Sequence, residues 1–307
     1  MHTGYITHPD CLKHDMGAGH PESPERLRAI EDQLIASGVL PFLQHHDAPL
    51  ATFEQLVRVH KPQYIEAVHA TAPREGLAYL DPDTAMNPFT LNAALRAAGA
   101  VVLATDLVLE RKLENAFCAI RPPGHHAESG RAMGFCLFNN VAVGVAHAIE
   151  HYGLKRVAIA DFDVHHGNGT EEIFHNDPRV MLCSTFQHPF YPHCGADSGN
   201  DHIINVPLPA GTDGAAFRQA VTEHWLPALD CFRPEMLFIS AGFDAHWEDG
   251  MAMFRLKEAD YTWVTQQLKA VAERHALGRI VSVLEGGYEL HALGRSVVAH
   301  IKVLSGL

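Results

Sequence analysis

Val157-Ala158-Ile159-Ala160-Asp161-Phe162-Asp163-Val164-His165-His166-Gly167-Asn168-Gly169 opens apolar and closes polar. Four small or branched apolar residues read as a buried strand. Asp161, Asp163 and His165 then arrive at alternate positions, and alternate residues of an extended chain share a face. Gly167 and Gly169 allow a sharp turn. Thr170-Glu171-Glu172 reads as the start of a helix, with a capping hydroxyl and acids in its first turn. A strand that ends in converging polar groups and runs into a helix is where α/β proteins place their sites. A lone Asp-x-His is ordinarily a hydrogen-bonded pair in a loop. Here further stretches of the same design weigh against that reading.

Working outward, strands and helices alternate. Ser23-Pro24-Glu25-Arg26 reads as a helix start with Ser23 as cap, and the helix runs to Gly38. Residues 1–21 and 72–89 read as loops, and 53–71 as short helical pieces. Thr90 to Arg111 and Asn139 to His151 are buried helices. Further strands are Ala116–Ile120, Val180–Phe186, Met236–Ser240 and Arg279–Leu284. Residues 187–212 read as a long functional loop. Thr212 to Cys231, Leu256 to Ala276 and a closing stretch to Leu304 are helical. The pattern predicts one α/β domain over 1–307, a mostly parallel, doubly wound sheet with helices on both faces.

Composition narrows the function. The 307 residues carry a formal net charge of −13, which disfavours nonspecific nucleic-acid binding and is compatible with a cationic substrate such as a lysine-rich tail or a polyamine. Six cysteines with no Cys-x-x-Cys suggest reduced thiols in a reducing compartment. The first residues show no basic region followed by an apolar stretch, and no run approaches 18 apolar residues, so neither signal peptide nor membrane span is expected. The expectation is a soluble cytoplasmic protein; an oligomer is compatible with the sequence.

Four strands end in unusual polar sets: Gly124-His125-His126, Asp161/Asp163/His165, Asp244, and Gly286-Gly287-Tyr288. Parallel strands put their carboxyl ends on one edge, so the sets should meet in one crevice. Asp163, His165 and Asp244 can make a mononuclear site suited to zinc or ferrous iron, with a position open for water and substrate. Such a metal lowers the pKa of bound water toward roughly 7 and polarises a carbonyl. A nearby histidine can serve as general base, then acid, and a tyrosine can donate to the developing oxyanion. Together these describe amide hydrolysis. Individually, Asp244 would be a helix cap, Tyr288 a rim aromatic, and the glycines turn chemistry; their shared position at strand ends favours the joint reading.

These motifs resemble the histone deacetylase family, including bacterial acetoin-utilisation proteins and acetylpolyamine amidohydrolases. The matching pieces are Arg121-Pro122-Pro123-Gly124-His125-His126, Gly134-Phe135-Cys136, Asp161 through Thr170, Ser240 through Ala245, and Leu284-Glu285-Gly286-Gly287-Tyr288. Asn168 and Glu285 look more like the class II branch. The resemblance implies an arginase-like fold and a zinc-dependent deacetylase of N-acyl-lysine side chains, with acetylpolyamines or other small acylated amines as the alternative substrates. It assigns Zn²⁺ to Asp163, His165 and Asp244, makes His126 the general base and acid, His125 its electrostatic partner held by Asp161, and Tyr288 the carbonyl-polarising group. Phe135 and Tyr191, where the family usually has Phe, would wall a tunnel with Gly134, Met251 and Gly287; His20 and Pro21 would lie at its rim. Arg26 would line an acetate exit path. A structural potassium ion would use Asp161, carbonyls of Asp163 and His165, and Ser184 and Thr185; a second alkali site would use Phe174, Asp177, Val180 and His202.

Two departures bear on substrate and mechanism. Asn168 stands where class I members carry Asp, so His126 is oriented by a neutral amide. Met251 stands where the polyamine-selective branch places Glu, which argues against acetylspermidine. Asp81 and Asp83 are candidates for the family's substrate-backbone clamp. A binding protein that keeps the pocket without the chemistry is disfavoured, since no catalytic position is lost. An arginase-type dinuclear centre would need a second ligand set that the sequence does not offer.

Overall fold

The computed structural model describes residues 2–307. Eight parallel strands form one sheet: β1 (Thr3–Thr7), β2 (Leu43–Asp47), β5 (Asn115–Cys118), β6 (Val157–Asp161), β7 (Val180–Gln187), β8 (Ile203–Leu208), β9 (Met236–Ala241) and β10 (Ile280–Leu284). Their order is β2-β1-β5-β10-β9-β6-β7-β8. A separate antiparallel hairpin joins β3 (Ala78–Asp81) to β4 (Thr84–Met86). The helices are α1 (Glu25–Ala36), α2 (Phe53–Leu56), α3 (Pro62–Thr71), α4 (Thr90–Leu109), α5 (Asn140–Glu150), α6 (Asn168–Phe174), α7 (Gly214–Ala220), α8 (Leu226–Phe232), α9 (Glu258–His275) and α10 (Leu290–Ser305).

Helices cover both faces because neighbouring strand residues point opposite ways. In β5 the Phe117 ring meets His300 of α10, while the next residue, Cys118, turns its thiol toward the Ala100 carbonyl of α4. α4 packs with α5 on one side, and α1 and α9 pack against α10 on the other. α4 is long and apolar enough to cross a membrane by length and composition; two thirds of that stretch is buried inside the fold.

Three stretches expected to be loops contain strands. β1 lies within 1–21, the β3–β4 hairpin within 72–89, and β8 within 187–212. β2, which the reading also missed, and β8 are the two edge strands. Leu43-Gln44-His45-His46-Asp47 leaves most of its side chains outside, and β8 carries Pro207, which an edge accommodates. Edge strands need no continuous apolar run, so the periodicity search passes over them. Two helix starts also differ. α1 begins at Glu25 with Pro24 at its cap position and no side-chain cap from Ser23. α6 begins at Asn168, so Thr170 lies inside it and donates to backbone and side-chain oxygens nearby rather than capping.

The four strands with polar ends, β5, β10, β9 and β6, are adjacent. In register, Asp161 lies beside Ser240 of β9 on one side and Ser184 of β7 on the other. The site therefore forms at the centre of the carboxyl edge, where the chain switches direction across the sheet.

Candidate active site

Asp163 and His165 sit in the turn between β6 and α6, and Asp244 in the loop after β9. Their ligand atoms lie within 4.8 Å of one another and all three residues are buried. His165 Nδ1 is 3.1 Å from Asp163 Oδ1 and 3.1 Å from Asp244 Oδ2. Backbone N–H groups fix the carboxylates: Gly286 and His165 donate to Asp163 at 2.8 and 2.9 Å, and Val164 donates to Asp244 at 3.0 Å. Gly286 is obligatory here, since a Cβ would stand 2.1 Å from Asp244 Oδ2 and 2.6 Å from Asp163 Oδ2. Burial, and then the charge of Asp163, push the Asp244 carboxyl up to about 6. Two buried carboxylates crowded around one imidazole are short of positive charge, and the set of two oxygens and one nitrogen fits a divalent zinc or ferrous ion.

His125 and His126 follow β5, their rings 4.1 Å apart between centroids. The two are placed in opposite electrostatic settings. Burial opposes charge on His125, but Asp163 and Asp161 outweigh it and hold its pKa well above the usual value; Nδ1 lies 2.9 Å from Asp161 Oδ2. Burial, and then the neighbouring His125, hold His126 well below the usual value. The Asn168 amide oxygen lies 2.8 Å from His126 Nδ1. That oxygen can only accept, which assigns the proton to Nδ1 and leaves Nε2 with a free lone pair. The Asn168 amide nitrogen is itself tied to Glu128 at 2.9 Å.

A cavity of about 240 Å³ descends to these groups, lined by Asp83, His126, Gly134, Phe135, His165, Phe190, Tyr191, Met251 and Tyr288. Phe135, Tyr191, Gly134 and Met251, matched above to a tunnel wall, are all among these lining residues. His20 is not among the lining residues but meets one of them, Phe135, edge-on at 4.7 Å between centroids. Pro21 and Gly287 are not among the lining residues. Phe190, whose ring stacks 5.6 Å from His165, was missed, although the Phe190-Tyr191-Pro192 run carried the signal. Of the two candidate clamps, Asp83 lines the cavity, whereas Asp81 accepts the N–H of Asp83 at 2.9 Å from behind. The Tyr288 hydroxyl stays protonated: burial pushes its pKa well up, against a smaller opposing pull from Arg26.

Arg26 does not line the cavity; it is wholly buried behind it. Its Nε donates to the Gly287 carbonyl at 2.6 Å and a terminal nitrogen donates to the Glu285 carbonyl, with the guanidinium 4.9 Å from the Tyr288 ring centre. Glu22 neutralises it at 3.1 Å and also takes both forks of Arg121, with His14 Nε2 at 3.3 Å. Despite burial, Arg121 and His14 hold the Glu22 carboxyl well below the usual range. No local pattern announces this network, because Glu22 and Arg121 lie 99 positions apart. The Glu285 carboxylate accepts the N–H groups of Gly124 and His125, at 2.7 and 3.1 Å, and so fixes the His-His turn.

Of the groups matched to an alkali ion, Ser184 Oγ is buried with no hydrogen-bond partner and lies beside Asp161 in register. At the second set, the Val180 carbonyl pairs with His202 Nδ1 at 2.8 Å and the Asp177 side chain with Arg179.

Residues 20–304 match the histone deacetylase domain. The chain belongs to the histone deacetylase family. It is 38% identical to a probable deacetylase of Archaeoglobus fulgidus, over 94% of this chain and 82% of that one. It is 39% identical to a histone deacetylase-like amidohydrolase of Pseudomonas aeruginosa, over 94% and 78%. The crystal structure of the HDA15 HD domain superposes with a TM-score of 0.94 at 36% identity, covering 99% of this chain and 88% of that one. As a family member this chain is a hydrolase with the arginase/deacetylase fold, acting on acylated substrates.

Proposed function

We propose that the protein removes acetyl or other acyl groups from the side-chain amine of N-acyl-lysine. The observation that carries this reading is the meeting, at the floor of one narrow aromatic-walled cavity, of the Asp163/His165/Asp244 set, a neutral His126 and a protonated Tyr288. A divalent ion held by the three ligands would polarise the amide carbonyl and lower the pKa of water. His126 Nε2 takes a proton from the attacking water and then delivers it to the leaving amine. His125, charged and tied to Asp161, stabilises negative charge as it develops. The Tyr288 hydroxyl donates to the carbonyl oxygen as it becomes an oxyanion. Phe135, Phe190, Tyr191 and Met251 clasp the aliphatic stem, and Asp83 at the cavity accepts a hydrogen bond from the substrate backbone. A potassium ion at Asp161, Ser184 and Thr185, with the carbonyls of Asp163 and His165, would use the orphaned Ser184 hydroxyl. The six free thiols support a reducing compartment, the cytoplasm.

Asp83 also favours a second reading, since a carboxylate on the cavity wall attracts a free ammonium as readily as a peptide N–H; a small acylated polyamine is the alternative. Turnover of the zinc-loaded protein on acetyl-, trifluoroacetyl- and longer acyl-lysine peptides beside acetylated putrescine and spermidine, with a hydroxamate control, separates the two. Hydroxamate-sensitive turnover of the peptides is expected; preference for the free acetylpolyamines would overturn the lysine reading.

A further inference from the structure

Tyr288 follows two glycines, and Gly287 has φ +120°, a backbone region closed to other residues. Two consecutive glycines restrict their own backbone little, so the direction of the Tyr288 side chain is set by what holds that backbone from outside. On the carbonyl side it is held by Arg26, which grips Glu285 and Gly287. On the N–H side, Asp249 Oδ2 accepts from Tyr288 at 2.6 Å and from Glu289 at 3.0 Å. The other oxygen of the same carboxylate accepts from Met251, a cavity-wall residue, at 2.9 Å. Asp249 is buried and lies in the same loop between β9 and α9 as the ligand Asp244; its own N–H donates to the His246 carbonyl at 2.9 Å. One carboxylate therefore ties the wall at Met251, the loop of Asp244 and the backbone of Tyr288 into a single unit.

We propose that Asp249 is a positioning residue for the reaction: it acts through the backbone of Tyr288, fixing the hydroxyl at the floor of the cavity. This rests on the role given above to Tyr288. Two of the N–H groups it accepts belong to Tyr288 and Glu289 and one to the wall residue Met251, so its removal should lower kcat by more than it raises KM and leave bound metal near its original value. A misplacement of about 1 Å lowers turnover by as much as roughly 100-fold, and Asp249→Ala should fall about 10- to 100-fold in kcat.

A double-mutant cycle with Tyr288→Phe, followed on an acetyl-lysine peptide with metal content measured on each protein, tests this. The part of the loss in kcat that comes through the Tyr288 hydroxyl disappears once that hydroxyl is gone. Asp249→Ala should then cost less than about 3-fold in the Tyr288→Phe background. Asp249→Asn, which retains one accepting oxygen, should recover part of the loss and carries the same cycle if the alanine variant does not fold. An equal loss in both backgrounds, a rise in KM with kcat unchanged, or loss of metal would each overturn the proposal. If Tyr288→Phe is slow and Asp249→Ala is not, Asp249 alone is misassigned; if Tyr288→Phe turns over normally, the reading of Tyr288 falls and this proposal with it.

Discussion

At the scale of single residues, neighbours at one site are pushed to opposite states. His125 and His126 are adjacent in sequence, yet two aspartates charge the first while burial and the charge of the first keep the second neutral. His126→Gln should therefore lower kcat by roughly 10²- to 10⁴-fold, the usual contribution of a general acid–base, with metal content unchanged by elemental analysis. Tyr288→Phe should lose on the order of 10²-fold, as for one oxyanion donor. A variant of either kind that turned over at the parent rate would remove that residue from the chemistry. The chemically active residues were readable in the sequence because each sits in a short motif whose composition is unusual for a strand end. Phe190 and Asp249 were not read from it. Phe190 hides beside another aromatic, and Asp249 acts on a backbone 39 positions away, which no local pattern encodes.

At the scale of elements, the site depends on how closely turns approach one another. Gly286 leaves no room for a methyl between two carboxylates. Gly286→Ala should fold, because the turn is not strained by the substitution's φ, but should bind less than a full equivalent of zinc when titrated against a chelator; full stoichiometry at unchanged affinity would contradict the cradle described here. The same scale explains what sequence reading missed. The central strands β5, β6, β9 and β10 are apolar on both sides and stand out, whereas β2 and β8 are covered on one edge only and carry His45, His46, Asn205 and Pro207. Their pattern is that of a boundary, which resembles a loop.

At the scale of the whole molecule, buried neutral histidines couple folding to pH. Burial lowers His300 to about 3 and His60 to about 4, from an ordinary 6.5. The unfolded chain takes up protons at these residues near pH 6.5, and the folded chain resists until pH 3–4. Their contribution to stability is thus complete above pH 6.5 and is lost as pH falls toward 3–4, each with a slope of up to about 1.4 kcal/mol per pH unit. His300 bridges Thr265 of α9 and Ser282 of β10, so its state is felt across the sheet and two helices. Urea unfolding at pH 6, 5 and 4 should show His300→Gln less stable than the parent but with a shallower pH dependence; an unaltered slope would take His300 out of the linkage.

The cluster of Glu22, Arg26, Arg121 and His14 has a consequence for descent. One carboxylate serves two guanidiniums, so losing Glu22 leaves buried positive charge uncompensated, at a cost of about 3–5 kcal/mol. Single-step drift at position 22 is closed, and only concerted exchange remains open there. The set should pass between lineages as an inherited block, with a change at position 22 accompanied by changes at 26 and 121, even though the chain itself keeps them far apart.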